Sequence, residues 1–311
     1  MWFIFALITT LCWGAADVFY KSGADENDSC SHLKTSVVVG LIMGAHAIFT
    51  LIAKHVSYNP INMLIYLPVS TMYILSMTVG YFGLRYLELS ISSPIQNSSG
   101  VVAGIMSFLF LKQAIDGISL TGIIFIFIGV IWLGVIEKQI QSDDSISNDK
   151  KYRIGFAAFF MPIIYCIIDA LGTFLDGYYL DDFSSTPLAD VTKSNFEDVA
   201  NISYELTFLL AAIILIAYIK FIKKDKVFSG LKTPPRFAAA AFETLGQATY
   251  VYALSGGKAA VAAPMIGSYC IFSIIFSAVF LKERLRLNQY ITISIVCIGI
   301  ILLGIAEGLA G

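Results

Sequence analysis

Few residues in this chain can do chemistry, and most of those that can are embedded in long apolar stretches. Asp169 has Tyr165 four residues before it and Thr173 four after, so a helix puts all three on one face. Pro162, just upstream, removes a backbone hydrogen bond and predicts a kink beside that face. Glu243 is followed by Gln247 and Tyr250 at four and seven residues, a polar stripe on an otherwise apolar segment. Asp17 has Trp13 four before it and Lys21 four after, which fits a cavity contact or a simple interfacial Asp–Lys pair. His46 interrupts another apolar run. It could titrate near physiological pH and handle protons, or serve as a packed hydrogen-bond donor. Gln96-Asn97-Ser98-Ser99-Gly100 forms a polar cluster one turn after Pro94. Tyr73 and Tyr81 are either cavity-lining residues or interface anchors.

The elements that must position these groups follow from composition. The 311 residues are 57% hydrophobic and 14% charged, with a mean hydropathy of +0.78, so too few charges exist to cover a water-exposed surface. Most of the surface must face lipid. The net charge of -2 carries no sign of nucleic-acid binding. Five cysteines, four of them inside apolar runs, give neither a disulfide framework nor a metal-ligand spacing. Residues 1–20 lack a basic start and a small-x-small cleavage pattern, so they read as a permanent helix rather than a secretory signal.

Crossing the hydrocarbon core takes roughly 20 apolar residues in a helix. Ten segments qualify: about 2–20, 34–53, 62–86, 91–111, 118–137, 154–176, 202–222, 236–255, 259–281 and 287–308. They are too long and too continuously apolar for β-barrel strands. The expected fold is therefore an all-α membrane protein of about ten transmembrane helices. Residues 138–153 read as a polar linker between two halves, 1–137 and 154–311. An acidic loop at 177–200 contains Ser184-Ser185-Thr186-Pro187, which predicts the start of a short surface helix.

The two halves repeat. A displacement of 170 residues places Pro94, Ser98, Ser107 and Lys112 on Pro264, Ser268, Ser277 and Lys282, and Gly129 and Gly134 on Gly299 and Gly304. Displaced by 152, Asp17 falls on Asp169. Five helices per half, an odd number, force the second half to enter the membrane with opposite polarity. Such inverted repeats recur in secondary transporters, whose sites lie near the midplane between the halves. On that reading Trp13, Asp17, His46, Tyr73, Tyr81, Gln96, Asn97, Tyr165, Asp169, Glu243, Gln247 and Tyr250 are the candidates for the translocation path. The glycines at 100, 104, 129, 134, 299 and 304 read as close helix packing.

The sequence resembles the drug/metabolite transporter superfamily, EamA type. The carriers of the resemblance are Leu11-Cys12-Trp13-Gly14 followed by Lys21, the Tyr86-Leu87 step, the exit Phe280-Leu281-Lys282-Glu283, and the glycine pairs Gly129/Gly134 and Gly299/Gly304. The resemblance covers nearly the whole chain and implies ten helices around a central cavity, moving amino acids, sugars or other small metabolites. The first half departs from the pattern, with Gln113 where the second half has Glu283.

Of the 20 Lys and Arg residues, 16 fall on the side opposite the termini and 4 on the side that carries them. The positive-inside rule then puts the termini outside, whereas the resemblance implies termini in the cytoplasm; the charge count is followed here. The expected setting is multi-pass, in the cytoplasmic membrane of a prokaryote. The expected partners are a small-molecule substrate, the lipid bilayer and a coupling proton, with the chain a monomer. No nucleotide loop, metal motif or catalytic constellation occurs in the sequence, which predicts a carrier without cofactors rather than an enzyme. The alternatives are a cation channel drawing on the buried carboxylates and, further off, a membrane enzyme using the acidic loop.

Overall fold

A computed structural model describes all residues except Glu26, 84–95, 145–154, 229–231, 281–284 and Gly311; of 137–144 and 155–160 only the backbone is described. Pro94, Arg85, the Tyr86-Leu87 step, Leu281-Lys282-Glu283 and most of the expected 138–153 linker lie outside the described residues.

The described chain is helical throughout, with no strand. Its elements are α1 (Trp2–Gly23), α2 (Ser31–Ala53), α3 (Ile61–Ile65), α4 (Leu67–Gly83), α5 (Ser99–Phe110), α6 (Gly117–Asp144), α7 (Gly155–Tyr179), α8 (Phe196–Ala217, continued by a π-turn at Tyr218–Ile222), α9 (Thr233–Leu254), α10 (Ala259–Ile266), α11 (Tyr269–Phe280) and α12 (Leu287–Ala310). Among the described residues, seven stretches are long and apolar enough to cross a membrane: Trp2–Gly23, Ser31–Ala53, Gly117–Ile136, Met161–Tyr179, Phe196–Ile222, Ala259–Phe280 and Leu287–Ala310.

The polarity of the bundle is inverted relative to a soluble protein. Phe49, Ile52, Phe110, Phe280 and Ile301 are exposed, while Ser70, Ser76, Asp176, Glu205, Gln247 and Thr292 are buried. Such a surface is stable only against an apolar solvent, and the chain is an integral multi-pass membrane protein.

Two expected helices are broken. Segment 62–86 divides at Tyr66, because Pro68 has no N–H to continue the ladder from α3. Segment 259–281 divides at Gly267-Ser268, three residues after Pro264. The expected surface helix at 184–187 does not form. Asp182 instead closes a turn, its backbone oxygen accepting from the N–H groups of Ser185 and Thr186 at 3.1 and 3.0 Å. The Asp182 carboxylate accepts from Ser184 N–H at 2.7 Å, so the capping groups that would start a helix are consumed by the turn. The expected linker also begins late, since α6 runs on to Asp144.

Helix contacts follow a regular scheme. α1 packs on α9 as α4 packs on α7, α1 on α11 as α7 on α5, and α2 on α9 as α8 on α4. The remaining major pairs are α2 with α8, α5 with α10 and α6 with α12. Exchanging α1 with α7, α2 with α8, α4 with α9, α5 with α10–α11 and α6 with α12 leaves this scheme unchanged. The closest approaches obey the same exchange. A Cβ on Gly299 would stand 2.8 Å from Ile126, and one on Gly129 would stand 2.3 Å from Val296, positions related by the 170-residue displacement. Asn97 and Gly267 are themselves so related, and they touch: a Cβ on Gly267 would lie 2.7 Å from the Asn97 backbone oxygen. Gly129, Gly267 and Gly299 need glycine for these close approaches. The Met1 amino group meets the Glu307 carboxylate, so α1 begins and α12 ends at the same face, called the terminal face below.

Candidate functional site

A cavity of about 80 Å³ lies at the centre of the bundle, between α1, α4, α5, α7, α8, α9, α10 and the start of α11. At the ~10–15 Å³ that one water requires, it has room for about half a dozen. Eleven of the twelve residues singled out by sequence line it: Trp13, Asp17, Tyr73, Tyr81, Gln96, Asn97, Tyr165, Asp169, Glu243, Gln247 and Tyr250.

Asp169 is held on α7 between two serines. Ser99 on α5 donates to Oδ2 at 2.6 Å and Ser76 on α4 donates to Oδ1 at 3.2 Å. The Asp17 carboxylate on α1 accepts from Ser273 on α11 at 2.9 Å. The two aspartates thus occupy exchange-related helices, and each takes a serine hydroxyl from the partner that the exchange assigns. Glu243 enters from α9, where close packing on α1 fixes its height. Gly246 leaves space only for the Trp13 ring, 2.4 Å from where a Cβ would sit, and the Trp13 indole N–H donates to the Glu243 backbone oxygen at 3.3 Å. All three carboxyls reach the cavity, and among the described residues that line it none is Lys, Arg or His.

Aromatic rings make up much of the remaining wall. Trp13 lies 5.0 Å from the Tyr250 ring and 6.0 Å edge-on to Tyr269, and Tyr20 lies 4.7 Å from Tyr81. Toward the terminal face the cavity ends in a hydroxyl cluster. Tyr73 OH is 2.6 Å from Tyr250 OH and 2.9 Å from the Thr173 hydroxyl, and Tyr250 OH donates to Thr173 at 3.2 Å.

Beyond that cluster the terminal-face loops are tied together. Lys54 pairs with Asp198 at 2.8 Å, and Tyr252 donates to the same oxygen at 2.6 Å. Partial burial pushes the Lys54 pKa down, but Asp198 and Tyr252 together more than offset it, so the value rises. Asn62 exchanges two hydrogen bonds with Ala189, at 3.0 and 2.8 Å. Gln113 donates to Asp181 at 2.6 Å and accepts from Ala260 N–H at 2.8 Å.

His46 is the exception among the singled-out residues. It does not line the cavity; its Nδ1 lies 2.8 Å from Glu205 across the α2–α8 interface. Glu205 also accepts from Asn201 at 3.0 Å. The face of α2 that carries His46 packs on α8, and a single helix could not reveal which neighbour it meets. Tyr20, Met77, Ser99, Thr173, Tyr204 and Tyr269 also line the cavity but were not in the candidate set. Thr173 and Ser99 were visible as neighbours of candidates; Tyr20 and Tyr204 carried no signal beyond being tyrosines in apolar segments.

The EamA-like transporter family model matches residues 1–135 and 201–305. The chain belongs to the EamA-like transporter family. It is accordingly a membrane transporter of the drug/metabolite type, acting on a small-molecule substrate in a lipid environment. Twenty-eight chains of solved structures match this EamA-like transporter. One, described only as the crystal structure of a protein, superposes with a TM-score of 0.67 at 13% identity, over 99% of this chain and 98% of its own. At that identity the likeness is one of fold. No curated protein matches the chain.

Proposed function

We propose that this EamA-like transporter is a secondary carrier that moves a small amine-bearing metabolite, an amino acid or a related compound, by alternating access through the central cavity. One observation carries the reading: three carboxyls and eight aromatic rings line the cavity, with no cationic side chain among the described lining residues. Carboxylates in a low-dielectric site demand a counter-charge. Aromatic faces attract ammonium groups, by ~2 kcal/mol or more when water is excluded. An anionic substrate would meet repulsion from whichever of Asp17, Asp169 and Glu243 are ionised.

The exchange-related helix contacts and the 170-residue repeat support ten spans in two inverted halves, 1–137 and 154–311. They favour rocking of one half on the other about the Asn97–Gly267 contact. The hydroxyl cluster and tied loops support a conformation closed to the terminal face, which also argues against an open cation channel. By the charge count, that face is external. Proton coupling falls to the cavity carboxyls rather than to His46.

Binding tests this reading. Purified protein is heated with amines, amino acids, sugars and matched carboxylic acids, and the melting temperature is read. Stabilisation by compounds that carry an ammonium group, abolished by Glu243→Gln or Asp169→Asn, is the expected result. Stabilisation by carboxylic acids or sugars alone overturns the substrate class.

A further inference from the structure

Asp169 is not the only acidic residue that α7 turns inward. Asp176 lies seven residues on, with Thr173 between them, so the three share one helix face over about 10 Å of rise. Asp169 and Thr173 line the cavity, but Asp176 does not. It lies past the Tyr73–Thr173–Tyr250 hydroxyl cluster, on the terminal-face side, and is 0% exposed. Tyr66, at the break between α3 and α4, donates to its Oδ1, while Oδ2 has no hydrogen-bond partner among the described residues.

The titratable groups that face Asp176 are Tyr66 and Tyr73 from the α3–α4 side, Tyr204 from α8 and Tyr250 from α9. None is a base that would be charged at neutral pH, and no ion pair forms with Asp176 among the described residues. An ionised carboxylate so placed forfeits its hydration with one hydrogen bond in return, a cost of several kcal/mol. A metal cation would need several oxygen ligands, whereas among the described residues Asp176 has one hydrogen-bond partner, Tyr66. A proton needs one.

We infer that Asp176 is a second proton-binding site of the transporter, set between the central cavity and the terminal face. Oδ2 takes the proton, which neutralises the group, while Tyr66 continues to donate to Oδ1. Opening of the hydroxyl cluster toward the terminal face brings water to Oδ2 and releases the proton there. The site thus gives the terminal-face half of the transport cycle its own proton step. Only this last consequence rests on the transporter reading; protonation itself does not.

Infrared difference spectra of the full-length protein in lipid, stepped in pH in H₂O and in D₂O, test the site with the proton as the only probe. Wild type at neutral pH should show a carbonyl stretch of a protonated acid that Asp176→Asn deletes and Asp169→Asn leaves in place. Tyr66→Phe should move that same band to higher wavenumber, since the carbonyl oxygen loses its donor. Should Asp176→Asn fail to fold, Tyr66→Phe carries the test. The inference is overturned if Asp176→Asn removes only carboxylate stretches, or if Tyr66→Phe leaves every acid band unmoved. Because no substrate is present, a band at Asp176 in a protein that binds no amine would sink the substrate reading and leave this site standing.

Discussion

The central cavity and the α2–α8 interface both hold acidic side chains inside an apolar bundle, and they meet the same electrostatic demand in opposite ways. At the interface, Glu205 is 0% exposed, yet His46 and Asn201 both bond to it. Its charge is answered by residues of the protein itself. In the cavity, Asp17 and Asp169 receive serine hydroxyls and Glu243 joins them, and among the described residues that line the cavity none is a cation. A buried acid with an internal partner holds helices together; buried acids that share a cavity without one are suited to an incoming charge. Substitutions should therefore separate the two regions by what they damage.

The largest separation is expected from Asp169→Asn and Glu243→Gln. Each should lower substrate flux into proteoliposomes by more than ~10-fold, equivalent to about 1.4 kcal/mol, while melting temperature in detergent stays near wild type. Equal loss of flux and stability would make the cavity carboxyls structural and erase the contrast. At the interface the reverse is expected. Glu205→Ala should destabilise by about 1–3 kcal/mol through the polar groups that it leaves unpaired, read as a drop in melting temperature. The double change His46→Leu with Glu205→Leu should recover much of that loss, as paired apolar replacements do. If it recovers stability but abolishes flux, the interface takes part in transport.

Gly267→Ala probes how firmly the cavity wall is held. Its Cβ would meet the Asn97 backbone oxygen at 2.7 Å, so α5 and α10 must separate, at a cost of about 1–3 kcal/mol. The smallest effect belongs to a group remote from both regions. Asp116 accepts from Ile118 N–H and Ser119 N–H, both at 2.9 Å, at the start of α6. The Ser119 hydroxyl and backbone hold its pKa below the usual carboxylate range. The cap is therefore intact at neutral pH and is lost as pH falls through that lowered value. Asp116→Asn should cost at most ~1 kcal/mol, and the difference from wild type should shrink in acid.

The all-helical, membrane-spanning character was legible because long apolar runs are a local signal. The cavity residues were legible where two polar groups recur at helical spacing in one apolar run, as with Asp169 and Tyr165 or Glu243 and Gln247. Asp176 and Glu205 escaped notice because they lie near the ends of their segments, where an acid normally reaches water. His46 was placed in the cavity because a single helix does not reveal which of its faces meets the centre; that is decided by contact with α8. The breaks at Tyr66 and Gly267 depend on prolines whose effect hydropathy does not register. At 184–187 the capping signal was real, but Asp182 used the same backbone groups for a turn.

The central claim is that the cavity carries a small amine-bearing substrate from one side of the membrane to the other. Counterflow measures this directly: proteoliposomes loaded with one unlabelled amine, selected by thermal stabilisation, are diluted into its labelled form and the trapped label is followed. Transient accumulation above equilibrium, saturable, and absent with Glu243→Gln, is the predicted result. Label entry that rises linearly with concentration and is unchanged by Glu243→Gln would contradict it.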